Sequence, residues 1–208
     1  RERPVSGPAQ CVPFVTWPVQ DRAITQLIEC IDGGRDCLVD KSRDMGASWL
    51  LIALAWWYWR FRPGTHVLVT SRIEDLVDRA GNPDSLFWKL DYITSHVPGW
   101  MLDDQPLEYL RDGQHRSHMH LFYPGNGSSI DGQATTTHIG RGGRRTWIMF
   151  DEMAAMQGAS AAWTAATDAT SCKVANSTPI GAGTEFSRLH RQALESGEPK
   201  IVGLYYYD

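Results

Sequence analysis

Residues 38–51 read LVDKSRDMGASWLL: the end of an apolar strand, a polar loop holding one glycine, then an apolar run. A phosphate-binding loop between a strand and a helix has the pattern G-x-x-x-x-G-K-[ST]. Laid over residues 41–48, the pattern puts Lys41 on its first glycine, Gly46 on its second, Ala47 on its lysine and Ser48 on its metal-binding hydroxyl. The spacing survives, and the lysine has moved to the front. Free N–H groups at the start of the following helix, with its positive dipole end, still point at an anion. Gly46 lets the backbone approach closely because it carries no Cβ. The loop wraps around its ligand, so a lysine at its start can converge on the same oxygens as one at its end. Arg43 adds a forked cation, and Ser48 offers a hydroxyl to Mg²⁺. On the loop alone a second reading stays open, in which Lys41 and Arg43 are solvated and Ser48 only caps a helix.

Working outward, strands and helices alternate. Residues 18–34, PVQDRAITQLIECIDGG, carry Ile24, Leu27, Ile28 and Ile31 at helical spacing, and Gly33-Gly34 stops them. DCLVD (36–40) reads as a buried strand, followed after the loop by a helix from about Ser48 to Trp59. HVLVTS (66–71) is the next strand, a helix opens near Ile73, and another covers DSLFWKLDYITSHV. HMHLFY (118–123) alternates as a half-exposed strand, and PGNGSSIDGQ (124–133) reads as turn chemistry. RTWIMFDE is a strand running into two acids, AAWTAATDA a helix, CKVANSTP a strand and loop, GTEFSRLHRQALES a helix and KIVGLYYY a closing strand. This order predicts an α/β fold, a mostly parallel sheet with helices on both faces.

Bulk properties agree with one globular unit. The chain has 208 residues, 42% hydrophobic and 21% charged, with net charge −4 and pI about 6.0. That excludes a strongly basic module, so any nucleic-acid contact rests on a local patch. Cys11, Cys30, Cys37 and Cys172 form no C-x-x-C pair and read as reduced thiols of a cytoplasmic protein. The first residues lack the apolar core of a signal peptide. WLLIALAWWYW (49–59) is short for a membrane span and reads as a buried helix.

The second motif is TWIMFDE (146–152), an apolar strand that delivers Asp151 and Glu152 to its C-terminal end. Ligands of open parallel sheets bind there. In nucleotide hydrolases the first such acid positions Mg²⁺ and the second polarises the attacking water. Taken alone, the two acids also fit the cap of a following helix. A phosphate loop, an intervening strand or two, and then a strand ending in Asp-Glu is the order of additional-strand P-loop ATPases.

The ordered set resembles the ATPase domain of the large terminase subunit, the DNA-packaging motor of tailed phages. KSRDMGAS (41–48) is similar to that family's deviant phosphate loop, IMFDE (148–152) to its acid pair and NSTP (176–179) to its coupling motif. TWPVQ (16–20) resembles its adenine-reading segment, and IGRGGRRTW (139–147) its Arg-Gly element. The resemblance implies a P-loop NTPase of the additional-strand catalytic-glutamate type over residues 17–208, after an irregular Pro-rich arm of residues 1–16. It implies ATP and Mg²⁺ as cofactors. Lys41, Ser42, Arg43, Asp44, Met45, Gly46, Ala47 and Ser48 would wrap the phosphates, with Lys41 active in catalysis. Ser48 and Asp151 would hold Mg²⁺, Glu152 would align water, Gln20 would read adenine and Thr178 would sense the γ-phosphate. Arg141 is the candidate arginine finger, with Arg144 and Arg145 as alternatives that also suit DNA phosphates. The implied partners are double-stranded DNA, the capsid portal and the small terminase subunit, in a homo-oligomeric ring when assembled or a monomer in isolation, in the host cytoplasm and without a membrane. Asp44 departs from the family, where many members carry a neutral glutamine. Nothing after Pro179 supplies the clustered carboxylates of the family's nuclease domain, so the expectation is a motor domain that does not cut DNA. Two other readings stand beside it. One is a helicase-like nucleic-acid-dependent ATPase. The other is a nucleotide-binding scaffold without turnover, which Ala47 and Asp44 favour.

His115, His118 and His120 fall in HRSHMH, where a strand would put His118 and His120 on one face. No cysteine or carboxylate of fitting spacing accompanies them, so a metal site is not expected. Most of the nine tryptophans sit in apolar runs and read as core rather than as base-stacking platforms.

Overall fold

The computed structural model describes residues 14–103, 113–135, 139 and 143–206. Helix α1 (Pro18–Asp32) starts with proline at its first position, where no N–H is needed, and Gly33 caps its end. Strand β1 (Cys37–Lys41) leads through the loop into α2 (Ala47–Phe61). Then come β2 (His66–Ser71), the single turn α3 (Glu74–Val77) and α4 (Leu86–His96). The short strands β3 (Arg116–Ser117) and β4 (His120–Tyr123) precede β5 (Ser128–Ala134) and β6 (Trp147–Asp151). Helix α5 (Ala159–Ala166), β7 (Lys173–Ser177), α6 (Glu185–Ser196) and β8 (Lys200–Leu204) complete the described chain.

The strands form one sheet in the order β3-β4-β5-β2-β6-β7-β1-β8. From β5 to β8 every neighbouring pair is parallel, and β3 and β4 add an antiparallel edge. Alternate residues of each strand serve opposite faces. Val39, Val67, Val69, Met149 and Val174 pack with α1, α2 and α4. Leu38, Leu68, Ile148, Phe150 and Ala175 pack with α5 and α6. Helix α2 is buried on nearly every side, from Leu50 to Trp59, which accounts for its membrane-like composition. No helix among the described residues is long and apolar enough to cross a membrane.

The expected α/β sheet is present, with two local corrections. Only residues 124–127 of the segment read as turn chemistry are a turn. Ser128–Ala134 is a strand, parallel to β2 from His66↔Ser129 to Ser71↔Ala134. Its glycine does not mark a turn: a Cβ on Gly132 would lie 2.7 Å from both Phe87 and Val77, so the glycine lets α3 and α4 approach the strand. His118 and His120 do not share a strand face. His118 lies in the tight turn between β3 and β4, next to Met119 at φ 55°, and meets Glu74 at 3.0 Å. His120 meets Asp131 at 2.6 Å.

Candidate active site

The C-terminal ends of β1, β7 and β6 lie side by side, with β7 between the other two. An additional strand thus separates the loop strand from the acid strand, and the side chains of all three converge. The loop turns through Asp44 at φ 61° and Gly46 at φ 68°. This left-handed backbone costs Gly46 little, and Gly46 forms the N-cap of α2. Leu50 is the first residue of α2 to donate backward, to the Gly46 carbonyl at 2.9 Å, so the amides before it have no intrahelical acceptor. The loop is held at both ends: Ser42 N donates to Leu204 O at 3.0 Å, and Gln20 Nε2 donates to Met45 O at 2.9 Å.

Ser48 Oγ donates to Asp151 Oδ1 at 2.8 Å, and Asn176 Nδ2 donates to the same oxygen at 2.7 Å. Burial pushes the Asp151 carboxyl above the usual carboxylate range. The two donors and the charge of Lys89 pull it back, while neighbouring Glu152 adds to the rise. Asn176 Oδ1 is buried without a hydrogen-bond partner, so it can accept from one more donor beside Ser48 and Asp151. Glu152 follows at φ 55°, an uncommon left-handed conformation for a residue with a side chain. Lys41 Nζ, on β1, lies 3.1 Å from Glu152 Oε1 and 3.4 Å from Thr178 Oγ1. Lys41 is 11% exposed and Glu152 38%, so the pair forms the wall of an open cleft. The cleft has a volume of about 470 Å³ and is lined by Lys41, Arg43, Asp44, Glu152, Thr178, Pro179 and Ile180.

Lys41, Ser48, Asp151, Glu152 and Thr178 are therefore brought together, with Arg43 and Asp44 on the rim. Met45 and Ala47 are both buried in the core. Gln20 bonds the loop at Met45 and is not among the residues that line the cleft. Arg141 lies outside the described residues. Arg144 and Arg145 precede β6, whereas the site stands at the far end of that strand. Four residue steps of strand span ~13 Å, longer than an arginine side chain. Within their own chain, Arg144 and Arg145 thus stand at the opposite end of β6 from Asp151 and Glu152. Arg145 is also committed elsewhere, paired with Asp131 at 14% exposure.

Two features carried no role in the sequence reading. Asn176 was visible as a polar residue ending an apolar strand inside NSTP. Asp40, the residue before Lys41, is buried and meets two less buried side chains: Tyr205 Oη donates to its Oδ2 at 2.6 Å, and His190 Nε2 stands 3.1 Å from that atom. Its Oδ1 is buried and unpartnered.

No cluster of three or more His, Cys, Asp or Glu able to hold a metal occurs among the described residues. Mg²⁺ does not need one, since it takes one or two protein oxygens and fills its shell with water and phosphate. The Ser48 hydroxyl, the Asp151 carboxylate and the open acceptor on Asn176 are a donor set of that kind.

No protein-family model matches the sequence, and no curated protein matches it. Solved structures do. The HK97 bacteriophage large terminase superposes with a TM-score of 0.58 at 14% identity, over 98% of this chain and 40% of that one. The large terminase of a thermophilic bacteriophage, in complex with ADP, gives 0.57 at 14%, over 92% of this chain and 45% of that one. The ATPase domain of the Thermus phage P74-26 large terminase gives 0.50 at 15%, over 82% of this chain and 74% of that one. The fold is that of a large-terminase ATPase domain. At such identities the terminase likeness is one of fold. The chain spans less than half the length of the HK97 terminase and of the ADP-bound one.

Proposed function

We propose that the chain is the Mg²⁺-dependent ATP-hydrolysing motor domain of a terminase, which drives double-stranded DNA into a viral capsid. The observation that carries this reading is the meeting of Lys41 with Glu152 and Thr178 beside the Ser48–Asp151–Asn176 cluster. A lysine that neutralises phosphate, an acid that aligns water and a hydroxyl–carboxylate pair for a metal are the parts of phosphoryl transfer to water. The ADP complex of the thermophilic-phage terminase supports a nucleotide as the ligand of this cleft.

Bound Mg²⁺ would neutralise phosphate charge. Ser48 and Asp151 would hold it, with Asn176 donating to the same Asp151 oxygen that Ser48 meets. Lys41 and Arg43 bring positive charge to the phosphates. Lys41 pairs with Glu152 across the cleft. When Lys41 turns to a phosphate, Glu152 is released to accept a proton from the attacking water. Thr178, bonded to the same lysine, registers the exchange and begins the segment that leads into α6. DNA, the capsid portal, the small terminase subunit, a homo-oligomeric ring and a place in the host cytoplasm belong to this reading as a whole.

A phosphate-release assay tests it. Release should require Mg²⁺, rise with double-stranded DNA and fall roughly a hundredfold or more in Glu152→Gln while ATP binding persists. Binding without release in the unaltered protein would favour the scaffold reading, and unchanged release in Glu152→Gln would remove that residue from the mechanism.

A further inference from the structure

We infer that Gln20 acts as a brace for the phosphate loop, so that its contribution to ligand affinity is directed at the triphosphate whatever base it carries. The inference rests on the cleft being a nucleotide site. Gln20 is the third residue of α1, and its Oε1 accepts from the N–H of Trp17 at 2.9 Å. That bond alone would make it an ordinary helix-start glutamine. The other end of the amide reaches across 25 residues of sequence to the loop, where Nε2 donates to the Met45 carbonyl at 2.9 Å. A Cβ built on Gly46 would stand 3.6 Å from that same nitrogen, so the amide also packs against the left-handed residue of the loop. Gln20 is 6% exposed, and it is absent from the residues that line the cleft.

An amide has a donor end and an acceptor end, and a base reader needs both turned outward. Here each end makes one bond inside the protein, and at 6% exposure little of the amide is left to meet a ligand. The Met45 carbonyl lies between the two positive-φ residues, Asp44 and Gly46, whose turn aims the following amides. Holding that carbonyl in place holds the amides that follow it. Removing the donor leaves a buried carbonyl unpaired and the loop free to relax. The loss falls on phosphate binding, which every nucleoside triphosphate and inorganic tripolyphosphate share.

The test is a calorimetric titration of the full chain with Mg²⁺ and three ligands, ATP, GTP and inorganic tripolyphosphate. It compares the unaltered protein with Gln20→Ala and with Gln20→Leu, which keeps more of the buried volume. The brace predicts that both variants lose affinity for all three ligands by one common factor, roughly tenfold. A loss confined to ATP would overturn the inference in favour of a base reader. Unchanged affinity for all three in a folded variant would overturn it in favour of a helix cap alone. If the unaltered protein binds none of the three, the nucleotide reading itself fails, a result distinct from either.

Discussion

Burial holds the Asp151 carboxyl above the ordinary carboxylate range, and Ser48 and Asn176 return only part of what it loses in leaving water. Because its folded value is raised, the folded chain keeps the Asp151 proton at a pH where the unfolded chain has released it. Stability from this group therefore falls as pH rises from the usual carboxylate value through the raised one, and the penalty then persists at neutral pH. Asp151→Asn should raise the melting temperature of the ligand-free protein at neutral pH by a few degrees and flatten that slope, while Mg²⁺-dependent turnover is lost. Thermal unfolding followed from acid to neutral pH checks this. Identical profiles for the two proteins would show that Asp151 is not the strained acid. Glu152 adds to the tension, as its charge contributes to the Asp151 shift and its own backbone sits in the left-handed region.

Elements with a clear period were legible in the sequence. α1 shows its apolar face at helical spacing, β1, β2 and β6 are short apolar runs, and the loop between β1 and α2 keeps its glycine at the expected interval. β5 was not legible, because Ser, Asp and Gly in SSIDGQA have turn chemistry. Only the approach of α3 and α4 explains Gly132, and that contact is tertiary. The sequence likewise placed Arg144 and Arg145 close to the acids along the chain, but a strand separates its two ends in space. Asp40 depends on elements that come far later: Tyr205 follows β8 and His190 lies on α6. Tyr205→Phe removes a donor from a buried carboxylate whose other oxygen is already unpaired. His190 still faces the same oxygen, so the change should cost about 0.5–1.5 kcal/mol in denaturant unfolding. A difference below about 0.5 kcal/mol would mean that Asp40 is satisfied without the hydroxyl.

At the scale of the whole molecule, the parallel sheet makes the site. Lys41 and Glu152 are 111 residues apart in sequence, and Lys41 and Thr178 are 137 apart. They meet because β1, β7 and β6 are adjacent and all end on the same edge. The order of the motifs along the chain announced that meeting, while the register that sets its distances belongs to the fold. The central claim is that one triphosphate is shared by the front of the 41–48 loop and by the acids at the end of β6. A crystal structure with Mg²⁺ and a non-hydrolysable ATP analogue tests it most directly. Lys41 Nζ should be found on a phosphate oxygen and off Glu152, with Ser48 and Asp151 at the metal. An analogue bound elsewhere, or Lys41 still paired with Glu152 beside a bound triphosphate, would contradict the account.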